Sequence, residues 1–315
     1  MSEDRDRRLY PMHMIPVAAE TREGDSYTSR YLVADLVAAD TEVHRGWLGG
    51  NTLGEVTRIY LERIVGEAAF DYFGLQFPVA VRLIEVDGAT PVFVNPDDTV
   101  AADRYDSFGK PACWYVAKAA PGAKILLGFD GPVSAARLYE AVTEGDPRPL
   151  LNSFPVREGD MVRIPPGTVH AAEGRMTIVE VSEASDLAFR LDEDIAEVLD
   201  FITLEGVAPA KGDAFEAFPF SVTRLNLESD REIFPSDEDT FYIYICLSGK
   251  AAMLLPPSAD GPGESFALSK WDALLVPAEC ERAVLSGHTG AGAELLEIKF
   301  HTPKHDSEPW MTIQE

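Results

Sequence analysis

The sequence of 315 residues has little basic charge for its length. It contains 27 lysine and arginine residues against 53 aspartate and glutamate residues, which gives a formal net charge of −26. Such an excess of negative charge repels nucleic-acid phosphates and anionic lipid, so we expect no nucleic-acid partner and no membrane partner. A local cationic pocket would still be compatible with a small anionic ligand, because short-range contacts override the distant field.

Cysteine and long apolar runs are also scarce. Cys113, Cys246 and Cys280 are too few and too scattered for a disulfide framework or a zinc ribbon. No apolar stretch typical of a secretory signal follows the charged first residues, and no run of about 18 apolar residues indicates a membrane span. We therefore expect a cytoplasmic globular protein, and the sequence leaves open whether it forms a homo-oligomer.

The sequence does contain many short apolar runs that are rich in Val, Ile, Phe or Tyr and end at turn residues. These runs cover residues 77–86, 113–116, 124–129, 161–164, 177–181, 240–247, 251–255, 273–276 and 294–300. Many short strands at close spacing favour a β-barrel or a β-sandwich.

Three segments, 52–66, 134–142 and 192–201, have apolar residues at helical spacing instead. The first of them opens with Thr52 and Glu55 in the arrangement of a capping box. All three precede the last third of the chain, which is almost entirely strand and turn by pattern. The sequence therefore predicts a mainly β fold with added helices in the N-terminal two-thirds, and two domains at 1–204 and 205–315.

The clearest motif is GDMVRIPPGTVHAAEG at residues 159–174. Its Gly159, Pro165, Gly167 and His170 have the spacing of the second signature motif of the cupin β-barrels, which it resembles. In that motif a glycine turn leads into one strand, Pro-x-Gly reverses the chain, and the histidine begins the next strand pointing inward. The resemblance implies that His170 is a metal ligand. The alternative is a hydrogen-bonded core histidine in a barrel that holds no metal.

A narrower resemblance extends over about residues 42–205. The stretch 77–129 resembles the core of the type I mannose-6-phosphate isomerases in their short bacterial form, where FPLL-x-K, QVHPDD, GKTE-x-WY and LG are expected. Residues 46–53, GWLGGNTL, resemble the family's NGPLAG-x-SL, and residues 178–190, IVEVSEASDLAFR, resemble its LEIQQ-SD-TYR. The first 40 residues match poorly.

This resemblance implies two cupin-like β-barrels (jelly rolls) with added helices. The barrel over 1–204 would be the ancestral active-site domain, and the barrel over 205–315 would be metal-free. The family's chemistry interconverts mannose 6-phosphate and fructose 6-phosphate with one zinc ion held by Gln, His, Glu and His. Moving a proton between C1 and C2 needs a base, together with a cation that stabilises the developing negative charge on oxygen.

The residues depart from the family at the zinc ligands. The positions that match its first three ligands are Phe93, Asn95 and Ala112, and only His170 is retained. Phenylalanine and alanine have no donor atoms, and zinc needs about four ligands of N, S or O type. We therefore expect no cofactor, and zinc only if the site is rebuilt from other residues.

Three cationic positions survive in the resemblance. Lys110 matches the lysine before the glutamate ligand, and Arg190 matches the family's active-site arginine. The resemblance implies a catalytic or sugar-binding role for both, and a substrate contact for Arg82, which matches the lysine of FPLL-x-K. The alternative for each is an ordinary surface charge.

Three functions remain open, and with them the question whether the chain is an enzyme. The first is a zinc-free homologue that binds a sugar or sugar phosphate. The second is an active mannose-6-phosphate isomerase with a rebuilt or altered site, for which Glu180, Lys110 and Arg190 offer a base and cations without metal. The third is a structural module whose pocket is filled by side chains such as Phe93. Family resemblance predicts fold better than it predicts activity.

Overall fold

The computed structural model describes residues 7–19, 21–207, 212, 214–257, 262–287 and 292–301. The chain divides into two units that each draw on separate stretches of sequence. The N-terminal unit comprises Met14–Gly54 and Val79–Phe215, and the C-terminal unit comprises Met1–His13, Glu55–Pro78 and Glu216–Glu315. The domain boundary predicted at residues 204 and 205 stays a prediction.

Helices are short throughout the described part of the chain. They are α1 (Leu53–Tyr60), α2 (Glu62–Val65), α3 (Glu67–Phe73), α4 (Asp98–Tyr105), α5 (Ala135–Glu144), α6 (Leu191–Val198) and α7 (Pro235–Glu238), with a 3-10 turn at Arg148–Leu150. Within the described ranges, no helix has both the length and the apolar character that crossing a bilayer requires.

Strands dominate both units, and they fall into two groups by position in the chain. The strands of the first two-thirds are β1 (Met12–Ile15), β2 (Val17–Ala18), β3 (Tyr27–Val33), β4 (Glu42–Val43), β5 (Val79–Ala89), β6 (Phe93–Val94), β7 (Ala112–Ala119), β8 (Lys124–Phe129), β9 (Leu151–Pro155), β10 (Met161–Ile164), β11 (His170–Glu183) and β12 (Phe189–Arg190). Those of the last third are β13 (Ala214–Ala217), β14 (Phe220–Leu227), β15 (Arg231–Ile233), β16 (Tyr242–Gly249), β17 (Ala251–Leu255), β18 (Glu264–Leu268), β19 (Ala273–Val276), β20 (Ala283–Gly287) and β21 (Ala293–Phe300).

The N-terminal unit is organised around β11, a strand of 14 residues. It pairs antiparallel with β5 along most of its length, from Glu173 opposite Ala89 to Glu183 opposite Val79. Its other edge pairs first with β8 and then with β7, so one long strand joins ladders on both sides. Strand β6 pairs with the start of β11, and β3 extends the sheet beyond β5.

Alternation along these strands sends every second side chain to the inside of the curled sheet. Ile84 of β5, Trp114 and Val116 of β7, and Ile178 of β11 share one apolar cluster on that face. A second cluster joins α5 and α6 to β8 through apolar side chains at helical spacing. The inner face of the sheet is therefore an apolar core, and the candidate site lies on the same face.

The C-terminal unit contains two antiparallel sheets. One has the order β14–β21–β16–β19, with residues 12 and 13 of β1 beside β19, and the other has the order β15–β20–β17–β18. Both sheets contribute to one apolar cluster, for example through Tyr244 and Leu274 of the first and Met253 and Leu285 of the second. Two sheets that share one core form a sandwich or flattened barrel.

Candidate functional site

The Gly–Pro–Gly–His motif folds as its spacing predicts, and this local geometry builds the first side of the site. Strand β10 ends at Ile164, a turn follows, and β11 begins at His170. Gly167 in that turn has a φ of +73°, and a Cβ added there would lie 2.8 Å from the carbonyl oxygen of Phe201. The turn thus requires glycine, and its amide donates to the carbonyl oxygen of Asn95 at 2.7 Å.

Polar side chains converge on one pocket inside the N-terminal unit. The buried residues that line it include Thr90, Asn95, Lys110, Trp114, His170 and Glu180. Its partly exposed residues include Tyr27, Arg82 and Phe93. The cavity volume between these side chains is about 10 Å³, roughly the space that one water molecule needs.

An ion pair and a tryptophan on three neighbouring strands form the centre of this pocket. Glu180 of β11 lies directly opposite Arg82 of β5 and Trp114 of β7. Its Oε1 is 2.8 Å from a terminal nitrogen of Arg82, and its Oε2 accepts a hydrogen bond from the Trp114 indole at 2.7 Å. Burial alone would raise the pKa of Glu180, but the positive charges of Arg82 and Lys110 hold it below its usual value.

Lys110 is the second cation of the pocket. Its side chain is buried, and its ammonium donates to the carbonyl oxygen of Ser185 at 2.8 Å. The carbonyl oxygen of Lys110 accepts from the Asn95 side-chain amide at 3.1 Å, which ties the two segments together. Burial lowers the pKa of Lys110 to about 8, although the nearby Glu180 charge works in the opposite direction.

His170 is buried beside these groups. Its Nδ1 lies 2.9 Å from the carbonyl oxygen of Thr168, and because a carbonyl only accepts, Nδ1 carries the proton. The Trp114 ring meets the imidazole edge-on at 5.3 Å between centroids. Burial lowers the pKa of His170, so the imidazole is neutral at neutral pH.

The titration of Lys110 gives a prediction about stability. A folded-state pKa of about 8 lies below the unfolded value of 10.5, so the unfolded chain binds more protons between these pH values. The free energy of unfolding should therefore rise with pH across this range, by about 3 kcal/mol in total, relative to a Lys110→Met variant that lacks the titrating group. Urea unfolding of both proteins at several pH values from 7 to 11 measures the difference. If the difference in unfolding free energy between the two proteins does not change with pH, the Lys110 ammonium is not buried as described.

Known proteins resemble this chain in sequence and in structure. No protein-family model matches the sequence. A curated relative, mannose-6-phosphate isomerase of Streptococcus mutans, is 33% identical over 115 residues, which is 36% of each chain. A solved structure, mannose 6-phosphate isomerase of Bacillus subtilis, has a TM-score of 0.75 at 21% identity and covers 92% of this chain and 99% of that one. The chain is similar to mannose-6-phosphate isomerases.

The extent of this similarity differs between sequence and structure. The sequence alignments span from 36% to 46% of the length of the curated relatives that the chain matches. The structural likeness covers nearly the whole chain, but at this identity it establishes the fold alone. It confirms the predicted mainly β, cupin-type fold. A mannose 6-phosphate isomerase with bound zinc is a further structural neighbour, with a TM-score of 0.66 at 13% identity over 93% of this chain and all of that one.

The donor atoms of the pocket do not fit a zinc ion. Phe93 lines the pocket with carbon atoms only, and Ala112 is fully buried in the apolar cluster of β7. The side-chain nitrogen of Asn95 donates to the carbonyl oxygen of Lys110, so its Oδ1 is the atom that could ligate a metal, and Glu180 is engaged through both oxygens. Within the described ranges, no group of three or more His, Cys, Asp or Glu side chains is arranged to hold a metal. One imidazole and one amide fall short of the ligand set that zinc requires.

Arg190 does not line this pocket. Its guanidinium lies 3.0 Å from Asp192, 3.5 Å from Asp25 and 3.5 Å from Glu193. The hydrogen bond that Arg190 donates to the Asp192 carboxylate raises the pKa of Arg190 above its usual value. The structure therefore brings together Arg82, Lys110 and His170 of the predicted site residues, and it places Arg190 in a separate ion-pair cluster. The roles of all four in function stay predictions.

Some pocket residues were missed by sequence reasoning. Trp114 packs in the core and also lines the pocket. Ile84 could have been predicted from strand alternation. It follows Arg82 by two positions on β5, and side chains two residues apart on a strand point to the same face. Tyr27 and Thr90 gave no such signal, because they reach the pocket through the tertiary fold.

Proposed function

We propose that the chain is a mannose-6-phosphate isomerase-like bicupin that binds a sugar or sugar phosphate in the pocket of its N-terminal barrel, without zinc-dependent isomerisation. The proposal rests mainly on one observation. Arg82, Lys110 and Glu180 converge in a concave site, while the matched zinc-ligand positions Phe93 and Ala112 have no donor atoms. Polar groups that converge in a pocket are the usual mark of a ligand site. The similarity to metabolic enzymes supports a cytoplasmic setting.

The same geometry argues against proton transfer by Glu180. This residue is the carboxylate that lines the pocket and the base considered for an aldose–ketose shift without metal. Both of its oxygens are occupied, by Arg82 and by Trp114, and its pKa is held below the usual value. A carboxylate in that state is a poor proton acceptor at neutral pH. Binding is therefore better supported than isomerisation with Glu180 as the base.

The small cavity favours a second candidate function, that of a structural module. About 10 Å³ leaves space for one water molecule and not for a hexose. Ligand entry thus requires movement of partly exposed side chains at the mouth, of which Tyr27 and Phe93 are the largest. Under the structural alternative these rings stay in place and no sugar enters.

Calorimetry on the full chain, purified without added metal or chelator, separates these functions. Under the proposal, mannose 6-phosphate or fructose 6-phosphate binds, elemental analysis finds no stoichiometric zinc, and a coupled assay detects no interconversion of the two. About one zinc per chain together with turnover would instead favour an active mannose-6-phosphate isomerase. Absence of any sugar binding would favour the structural module. Phe93→Ala, which widens the mouth, should tighten sugar phosphate binding if ring movement limits entry.

A further inference from the structure

One buried carboxyl group of the N-terminal unit lies outside the pocket and is left unpaired. Glu183 ends β11, its exposed fraction is 0%, and neither of its carboxyl oxygens has a hydrogen-bond partner within the described structure. Buried polar groups are paired in most cases, and a carboxylate that is both buried and unpaired has a large desolvation cost. The protonation state of this side chain therefore needs an explanation.

The neighbours of Glu183 on the strands are uncharged. Side chains two residues apart on a strand point to the same face, so Glu183 shares its face with the fully buried Val181. Across the sheet, Val79 of β5 lies opposite Glu183, and Cys113 of β7 lies opposite Val181. Burial raises the pKa of the Cys113 thiol, so the thiol is neutral at neutral pH. These neighbours do not balance a negative charge on Glu183.

The charged groups on the adjoining segments do not balance it either. Burial, and then the negative charge of Asp98 at the start of α4, raise the pKa of Glu183 well above its usual value. The Lys110 ammonium donates to the carbonyl oxygen of Ser185, and the Asp186 carboxylate accepts from two backbone amides. A carboxyl group in these surroundings is most stable in its neutral, protonated form.

Glu183 lies at the junction that holds Lys110 in the pocket. Its amide donates to the carbonyl oxygen of Pro111, the residue after Lys110, at 3.2 Å. Two residues after Glu183, the Ser185 carbonyl oxygen accepts from the Lys110 ammonium at 2.8 Å, and the Ser185 hydroxyl donates to the carbonyl oxygen of Phe108 at 2.8 Å. These hydrogen bonds attach residues 108–111 to the end of β11 and to the turn that follows it.

We propose that Glu183 is a buried proton-binding site: its carboxyl group holds a proton in the folded protein, and release of this proton to solvent opens the contacts between residues 108–111 and the end of β11. The charge left on Glu183 repels Asp98 and lies among apolar side chains, so the adjoining segment separates and admits water. Lys110 then loses the hydrogen bond that positions it in the pocket. This proton site does not depend on which ligand the pocket binds.

Urea unfolding of the unaltered protein and of Glu183→Gln, from about pH 5 to about pH 9, tests whether the proton is held. Above the usual pKa of 4.5 the folded protein binds one more proton than the unfolded chain, whereas the variant has no carboxyl group to titrate at this position. The folding equilibrium constant of the unaltered protein, relative to that of the variant, should therefore fall about tenfold per pH unit until the pH reaches the folded-state pKa. A ratio that stays constant would overturn the proposal.

Two further measurements locate the proton. Asp98→Asn removes the neighbouring negative charge, so the decline with pH should end at a lower pH in this variant than in the unaltered protein. Infrared difference spectra should show the C=O band of a protonated carboxyl group in the unaltered protein that is missing in Glu183→Gln. If this band is absent and Asp98→Asn leaves the decline unchanged, the proton is not on Glu183.

Hydrogen exchange followed by mass spectrometry tests the opening. The informative peptides contain Glu183 and Lys110, whose amide donates to the carbonyl oxygen of Pro96 at 3.0 Å. Their exchange rate in the unaltered protein, divided by the rate in Glu183→Gln at the same pH, should rise from about one at about pH 5 to at least about fivefold at about pH 9. Base catalysis of exchange cancels in this ratio. A ratio that stays at one would overturn the opening at this junction.

Magnesium and calcium distinguish a proton from a metal ion as the occupant. Such cations take about six or more oxygen ligands, and the described residues hold no group of three or more His, Cys, Asp or Glu side chains that could bind a metal. Neither ion should therefore raise the melting temperature of the unaltered protein more than that of Glu183→Gln. A larger rise in the unaltered protein would show that a cation compensates Glu183, and would overturn the proposal.

Discussion

Replacing Arg82 with methionine is expected to lower the free energy of unfolding by about 3–5 kcal/mol, because it leaves a buried carboxylate without its ion-pair partner. The Glu180 side chain that it pairs with is only 4% exposed. The Trp114 indole continues to donate to Oε2, but an indole N–H does not neutralise a carboxylate. Urea unfolding at pH 7, followed by circular dichroism, measures the change.

A matched surface pair provides the control for this prediction. Arg30 and Glu85 also form an ion pair across β3 and β5, at 3.4 Å, but their side chains are 38% and 53% exposed. Arg30→Met should therefore cost less than about 1 kcal/mol. Adding Glu180→Gln to Arg82→Met removes the orphaned charge and should recover part of the loss. If Arg82→Met lowers the free energy of unfolding no more than Arg30→Met does, the Glu180 charge is not buried as described.

The strands could be predicted closely because their signal is local. The predicted runs 124–129, 161–164, 251–255 and 273–276 coincide with β8, β10, β17 and β19. Each is a run of strand-forming residues bounded by turn residues, so short-range pattern suffices to identify it. Strand β11 is longer than the run predicted at 177–181, because it continues back to His170 past Gly174, which pattern alone does not reveal.

The helices were predicted less completely, and the reason differs from case to case. The single helix expected over 52–66 is interrupted at Leu61, whose φ of 52° is outside the helical range, so α1 and α2 are separate. Helix α4 was missed because it is mostly polar and has one buried apolar residue, Ala101, although its cap Asp97 accepts a hydrogen bond from the amide of Val100. Such short helices are stabilised by caps and tertiary contacts more than by periodicity.

The site could be predicted only where the family motif or strand alternation defined it. His170, Asn95, Phe93, Lys110 and Arg82 were named from the resemblance, and all five line the pocket. The position of Arg190 was not predictable, because its partner Asp25 lies 165 residues earlier in the chain and only the fold brings the two together. The separation of Arg190 from the pocket therefore became visible only in three dimensions.

Restoring the three matched ligand positions is expected to create a zinc site. The variant Phe93→Gln, Asn95→His, Ala112→Glu retains His170 and thus has the Gln, His, Glu and His donors of the resembled family. His170 supports this, because its Nδ1–H is held by the Thr168 carbonyl oxygen and its Nε2 lone pair stays available to a metal. We expect elemental analysis after dialysis to give about one zinc per chain for this variant and no stoichiometric zinc for the unaltered protein.

The cost of this change lies mainly at Ala112, which is fully buried and shares its face of β7 with Trp114. A larger side chain there should destabilise the metal-free variant by about 1–3 kcal/mol through overpacking, and a buried carboxylate adds to this. Zinc at about 1,000 times its dissociation constant should raise the free energy of unfolding of the variant by about 4 kcal/mol. The melting temperature of the variant therefore becomes zinc-dependent. Adding His170→Ala is the control that should abolish the zinc dependence. A variant that folds yet binds no zinc would show that 93–95 and 110–112 do not correspond to the family's ligand segments, and the proposed loss of the metal site would then lose its basis.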